Sequence, residues 1–317
     1  MAPRRGGPDR LGPVAARTRF APSPTGDLHL GGAWTALASW VVARVTEGGR
    51  CALRIEDLDR PRVVPGAQAR IEEDLLWLGL AWDEGPMLQS ERGELYEASI
   101  ARLAQQGLVY PCDCSRAEIA RVASAPHAGE DVVYPGFCRD RDPARPMRRP
   151  PALRARLPDE TVEYEDGAAG RVVQSLAREA GDFVLRRGDG VFAYQLAVVV
   201  DDVAQGITDV VRGADLLAST GRQMWLARAL GAAPPRYTHV PLVVGPEGAR
   251  LEKRMRGVSV RELREAGLSP ARVVGALAHG LGLVQADRPL TATQVVRACA
   301  GRPFVWARSG WSVPREW

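Results

Sequence analysis

Apolar and polar positions along the chain first fall into a β–α–β alternation. Residues 17–20, in which arginine alternates with Thr18 and Phe20, and the apolar-rich run 51–55 are of strand length, and residues 31–45 between them are apolar over a helical length. Two strands joined by a helix predict a parallel pair. Residues 65–80 and 90–106 then show helical spacing, the first amphipathic and opened by glycine, the second stopped at Gly107. From Tyr110 to about Gly181, cysteines and prolines break the rhythm. The alternation resumes with residues 192–201, Val210-Val211 and a helix over 220–230. The intervening piece therefore reads as an insertion in a split nucleotide-binding α/β fold. Residues 239–244 look strand-like, while 260–267, 271–280 and 293–300 read as short helices without internal repeat.

Composition narrows the class only slightly. A chain of 317 residues with 45% hydrophobic content has ample core for one large or two modest domains. The net charge of +4 suits an anionic partner and is equally ordinary for a soluble protein. No run approaches a membrane span, and residues 1–16 lack the apolar segment of a signal peptide. A flexible tail over 1–16, a cytoplasmic location and a monomer are expected. The positive charge is concentrated at Arg139, Arg141, Arg145, Arg148, Arg149, Arg154 and Arg156, in a Pro-rich stretch with few acids. That run reads either as a solvated linker or as a phosphate-contacting surface.

Of the 42 basic residues only one, Lys253, is lysine. A chain that uses arginine everywhere else has placed a compact, flexible ammonium at one position, beyond the strand-like run and the turn 245–248. A mobile lysine there can meet a phosphate. A second phosphate-type signal is the string from Arg19 to Gly32, which includes Pro22, Pro24, His29, Gly31 and Gly32. Two prolines stiffen the loop, His29 presents an imidazole at its end, and the glycines let a ligand approach the opening of the next helix.

The whole string resembles the first signature of class I glutamyl-tRNA synthetases, with His29-Leu30-Gly31-Gly32 in place of their His-x-Gly-His. Their Lys-Met-Ser-Lys-Ser loop is similar to Arg250-Leu251-Glu252-Lys253-Arg254, in which only the second lysine is kept. Gly32 and Glu252 are the departures. Fewer than 70 residues follow Lys253, so the large anticodon-binding region of those enzymes is not expected. The shortened plan resembles the glutamyl-Q tRNA(Asp) synthetases over roughly residues 17 to 300. That resemblance implies halves of a catalytic domain at 17–109 and 182–256, a zinc-containing insertion at 110–181 and a short helical region at 257–317.

The resemblance further implies ATP, accompanied by magnesium, and L-glutamate as substrates, with tRNA(Asp) bearing queuosine as acceptor. His29 and Lys253 would act on the phosphates, with Gly31 and Gly32 completing the ATP cradle. Arg19, Phe20, Ala21, Pro22, Ser23, Glu56, Tyr194 and Arg212 match the glutamate-binding positions. In charge terms, Arg19 and Arg212 can each take a carboxylate as a bidentate pair, and Glu56 can take the ammonium. Read singly, each also has an ordinary structural explanation, for example Arg212 pairing with Asp209 or Asp215. The expected chemistry is attack by the glutamate α-carboxylate on the α-phosphorus of ATP, with no protein nucleophile.

Cys112, Cys114 and Cys138 carry separate chemistry. In a chain without secretion signals, Cys-x-Cys plus a third cysteine favours a metal over a disulfide, and a tetrahedral zinc needs one more ligand. Ligand preference points to His127 in the same loop, whereas the resemblance points to Tyr134, four residues before Cys138. The Tyr134 assignment is the one adopted. Cys51 and Cys299 sit among apolar residues and read as packed thiols.

Overall fold

The computed structural model describes residues 15–115, 117–119, 133–244, 258–314 and 317. Its first half is β1 (Arg17–Phe20), α1 (Leu30–Arg44), β2 (Arg50–Ile55), α2 (Ala67–Trp77), β3 (Glu84–Leu88) and α3 (Gly93–Gln105). The three strands form one parallel sheet in the order β1-β2-β3. β3 is additional to the sequence expectation, since Gly85-Pro86 breaks its strand-like pattern. α1 is apolar on all sides because it is covered on all sides. It packs on the sheet, on the later strand Asp209–Gly213 and on the C-terminal helices.

An antiparallel piece comes next. β4 (Val109–Cys112), β5 (Ala152–Ala155), β6 (Thr161–Asp166), β7 (Gly170–Ser175) and β8 (Val184–Arg186) form a three-stranded sheet, β4-β5-β8, and a β6–β7 hairpin. The parallel plan returns with α4 (Tyr194–Ala204), β9 (Asp209–Gly213), α5 (Thr220–Ala229) and β10 (Arg236–Val240). Residues 192–201 are thus mostly helix. β10 pairs in parallel with β9. β9 in turn lies against β1, where the Thr208 amide donates to the Arg17 carbonyl at 2.9 Å. The five parallel strands therefore run β3, β2, β1, β9, β10, and the chain direction of winding reverses between β1 and β9.

Pro241 has no N–H to donate, and the run expected as one strand over 239–244 divides there into the end of β10 and β11 (Val243–Val244). The chain closes with α6 (Val260–Glu265), α7 (Pro270–Gly280), α8 (Ala292–Cys299) and β12 (Trp311–Ser312), which pairs with β11. Ser259 and Thr291 open α6 and α8 as capping boxes. One core gathers α1, α2 and the C-terminal helices, and a second gathers α3, α4 and α5. Among the described residues no helix is long and apolar enough to cross a membrane.

Candidate active site

Arg19 is the penultimate residue of β1, Glu56 follows β2, and Arg212 lies near the end of β9. All three are at carboxyl ends of parallel strands, beside the place where the strand order reverses. That is where an open α/β sheet forms its ligand crevice. Tyr194 enters from the first turn of α4. Burial raises the Tyr194 phenol above its ordinary pKa, and the charges that bear on it are Arg212, Glu56, Arg19 and Asp202. The structure thus brings the four charged or hydroxyl residues of the sequence reading together. The loop at Pro22 is fixed to them, because its carbonyl accepts the Glu56 amide at 2.9 Å. Phe20 packs against the core, while Ser23 is exposed.

The two arginines are not equivalent. Arg19 donates from Nε to Asp202 Oδ1 at 3.1 Å and from Nη1 to the Val211 carbonyl at 3.5 Å, and among the described residues no hydrogen bond uses its Nη2. Arg212 donates from Nε to His239 Nε2 (3.0 Å), from Nη1 to Gln223 Oε1 (2.7 Å), and from Nη2 to Thr220 Oγ1 (2.9 Å) and the Leu216 carbonyl (3.3 Å). A guanidinium has five N–H hydrogens, so one, on Nη1, remains. The bidentate grip expected of Arg212 is therefore replaced by a single N–H plus the charge, while Arg19 keeps an open edge. Neither Asp209 nor Asp215 is the partner of Arg212; Asp209 pairs with Arg236.

Three residues that tune this site escape the sequence reading. Arg54, fully buried in β2, donates from Nη1 to Asp202 at 2.7 Å and Gln205 at 2.9 Å, and its Nη2 lies 3.4 Å from Glu56. Burial raises Glu56 above the ordinary carboxylate range, with Arg54 and Arg19 opposing that shift. For Asp202 burial acts the same way, but Arg19 and Arg54 outweigh it and hold its carboxyl low. His239 is the third. An arginine within an apolar strand and a histidine in the Tyr237–Val240 run are the signals that could have exposed them, since such groups are rarely buried without partners.

His29 is the N-cap of α1, and its Nδ1 accepts the Gly32 amide at 3.1 Å. Desolvation lowers its pKa from the ordinary imidazole value. A Cβ at Gly31 would meet His29 Nδ1 at 3.1 Å, and one at Gly32 would meet Leu28 Cδ1 at 2.8 Å. Glycine thus keeps the helix opening clear for a ligand. Lys253 and the segment 250–254 lie outside the described residues. The chain that follows them is pinned to the first signature: the Leu30 amide donates to the Val258 carbonyl at 3.1 Å, and Ser259 bridges to His29.

Cys112, Cys114 and Cys138 place their sulfurs within 4.8 Å of one another. The Tyr134 hydroxyl lies 3.3 Å from Cys112 Sγ and 3.7 Å from Cys114 Sγ, and accepts the Cys138 amide at 2.9 Å. A tetrahedral ion with sulfur at about 2.3 Å and oxygen at about 2.0 Å sets sulfur–sulfur edges near 3.8 Å and sulfur–oxygen edges near 3.5 Å. The Cys114–Cys138 separation of 3.6 Å and the two phenol distances fit those edges. Burial pushes Cys114 up to about 11, a cost that a bound cation would reverse. Arg154 stacks 3.8 Å over the Tyr134 ring, and Arg145 reaches Cys138 Sγ at 3.3 Å, so positive charge already faces the donors. The group can hold a metal; His127 lies outside the described residues.

Comparison with known proteins agrees with this geometry. The family model for class I tRNA synthetases (E and Q), catalytic domain, matches residues 15–297. A glutamyl-Q tRNA(Asp) synthetase of Symbiobacterium thermophilum is 49% identical over 88% of this chain and 90% of its own length. One from Geobacter sulfurreducens is 52% identical over 79% and 80%. The chain belongs to the glutamyl-Q tRNA(Asp) synthetase family. It is accordingly a ligase-type enzyme with the class I synthetase α/β fold. Among solved structures, a glutamate tRNA ligase from Elizabethkingia meningosepticum in complex with its amino acid superposes with a TM-score of 0.80 at 27% identity, covering 95% of this chain and 68% of that one.

For this member of the glutamyl-Q family the arginine run is neither a bare linker nor a bare cationic surface. Acids meet most of it, three of them from outside the run. Buried Asp113 takes Arg145 at 2.7 Å and Arg148 at 3.3 Å, Asp182 takes Arg139, Asp140 takes Arg156 at 2.8 Å, and Glu118 takes Arg148 at 2.7 Å. Asp113 lies between two cysteines of the cluster, and hydrogen bonds from Arg145 and Arg148 hold its carboxyl well below the usual range. These arginines brace the cysteine-bearing loop. Arg141 has no ion pair among the described residues.

Proposed function

We propose that the protein activates L-glutamate with ATP as glutamyl-adenylate and transfers it to the queuosine of the tRNA(Asp) anticodon. The observation that carries the reading is the convergence of Arg19, Glu56, Tyr194 and Arg212 at the β1–β9 crevice. Two cations and one anion match an amino acid with two carboxylates and one ammonium. Arg19 offers its free edge to one carboxylate, Arg212 one N–H to the other, and Glu56 the counter-charge to the ammonium. His29 and Lys253 stabilise charge on the phosphates, with magnesium accompanying ATP, and no protein nucleophile is needed. The relatives' names supply the acceptor.

The test has two stages. Glutamate-dependent ATP–pyrophosphate exchange is expected, followed by transfer of labelled glutamate to queuosine-bearing tRNA(Asp), for which an anticodon stem-loop should suffice. Transfer to the 3′ end of tRNA(Glu) instead would sink the acceptor assignment and leave a minimal glutamyl-tRNA synthetase.

Glu56 gives a pH signature. Its raised pKa means the charged form is lost at a higher pH than for an ordinary carboxylate near 4.3. Glutamate affinity should therefore begin to weaken at a higher pH than an ordinary carboxylate would cause, and Glu56→Gln should bind weakly and without that pH limb. Calorimetric titration between pH 8 and 5 reads both; a flat wild-type profile would remove Glu56 as the ammonium partner.

We further assign the insertion around residues 110–181 a structural zinc, held by Cys112, Cys114, Tyr134 and Cys138. Bound there, zinc would supply a cross-link that fixes β4 to the loop carrying Tyr134 and Cys138.

A further inference from the structure

The guanidinium of Arg212 is held by a chain of groups that ends at a buried carboxylate in the β6–β7 hairpin. Asp166 Oδ1 accepts three backbone amides, from Ala168 (3.0 Å), Ala169 (2.9 Å) and His239 (3.0 Å). Its Oδ2 lies 2.6 Å from His239 Nδ1. Both side chains are fully buried. An ionised carboxylate only accepts hydrogen bonds, so Nδ1 carries the imidazole hydrogen. His239 Nε2 is left as an acceptor, and it faces Arg212 Nε at 3.0 Å and Thr220 Oγ1 at 3.1 Å. Arg212 and His239 are register partners on β9 and β10, so the contact is built into the sheet. A second relay orients the other side: Gln223 accepts from Arg212 and donates to Gln195, which donates to Ser219 Oγ at 3.0 Å.

We propose that Asp166 and His239 are positioning residues for the amino-acid site: by fixing the imidazole tautomer, Asp166 makes His239 an acceptor that aims the single open N–H of Arg212 at a substrate carboxylate. This rests on the glutamate reading above. The remaining hydrogens of Arg212 are committed to protein, so rotating the guanidinium would exchange its one substrate contact for nothing. Pre-orienting that contact strengthens recognition of a carboxylate over an amide, whose NH2 end offers no acceptor.

Asp166→Asn tests it. The three amides keep the asparagine oxygen where Oδ1 stands, which turns the NH2 toward His239 Nδ1. That donor forces hydrogen onto Nε2, where it confronts the Arg212 Nε–H. Nitrogen-15 NMR of the four histidines should show His239 switching tautomer, with KM for glutamate in pyrophosphate exchange rising about 10- to 100-fold and KM for ATP unchanged. A switched tautomer with unaltered KM for glutamate would overturn the proposal, as would an unswitched one. If Asp166→Asn does not fold, His239 variants decide. His239→Gln can donate to Asp166 and accept from Arg212, and should keep KM for glutamate within a few-fold of wild type, whereas His239→Leu should raise it. Equal KM values for the two would overturn the proposal. Wild-type protein that shows no glutamate-dependent exchange would overturn the parent reading instead, whatever the NMR shows.

Discussion

Lys253→Ala is expected to lower glutamate-dependent pyrophosphate exchange by about 10²- to 10³-fold, the loss seen when one preorganised charge contact to a transition state is removed. The lysine is the chain's only one. It lies outside the described residues, five positions before Val258, whose carbonyl is bonded to the Leu30 amide at 3.1 Å. Five residues reach at most about 17 Å, a length that permits the proposed contact with ATP phosphates at the opening of α1. KM for glutamate should change little, because Arg19, Glu56 and Arg212 are at other strand ends. Lys253→Arg should recover only part of the rate, since a planar fork on a rigid head does not reproduce a point charge on a flexible stem. Near-wild-type exchange in the arginine variant would leave the singular lysine without a reason.

How much of this site could be read from sequence depends on what holds each residue. Arg19, Glu56 and His29 sit at the junctions of the first β–α–β unit, which hydrophobic periodicity locates well, and there strand ends and ligand positions coincide. The grip of Arg212 could not be read that way. Its partners come from α5 and β10, and the group that orients His239 comes from the β6–β7 hairpin, 73 residues away in sequence. The arginine run shows the same limit. Counting charges along 139–156 finds only Asp140 and Asp142 against seven arginines, because Asp113 and Asp182 reach the run only through the fold. Arg54 is hidden for a related reason. A strand buried on both faces reads as apolar, and one cation in it looks like an edge position until Asp202 and Glu56 are seen around it.

The same separation explains why β3 and the helix beginning at Tyr194 were harder to read than β1 or α1. Gly85-Pro86 masks a strand whose pairing is supplied by β2. Residues 192–201 are apolar enough for a buried strand or a buried helix, and periodicity alone does not separate the two. Tertiary contact decides: α4 packs on α3 and α5 rather than adding to the sheet.

Freshly purified protein is expected to hold about one zinc per chain by elemental analysis, with Cys114→Ser losing it. Structural zinc supplies folding free energy outright, so its removal by a chelator should leave the segment between β4 and β5 open to proteases while the β1–β9 crevice keeps its fold. Tyr134→Phe should weaken zinc more than His127→Ala. The phenol oxygen lies within 3.7 Å of two sulfurs and also accepts the Cys138 amide, so its loss removes a donor atom and an anchor together. The reverse ranking would exchange the two residues' roles. Zinc-free protein, purified under reducing conditions and fully folded, would return the three cysteines to packed thiols. It would also leave Arg145 and Arg154 facing the cluster with no anionic metal site to neutralise.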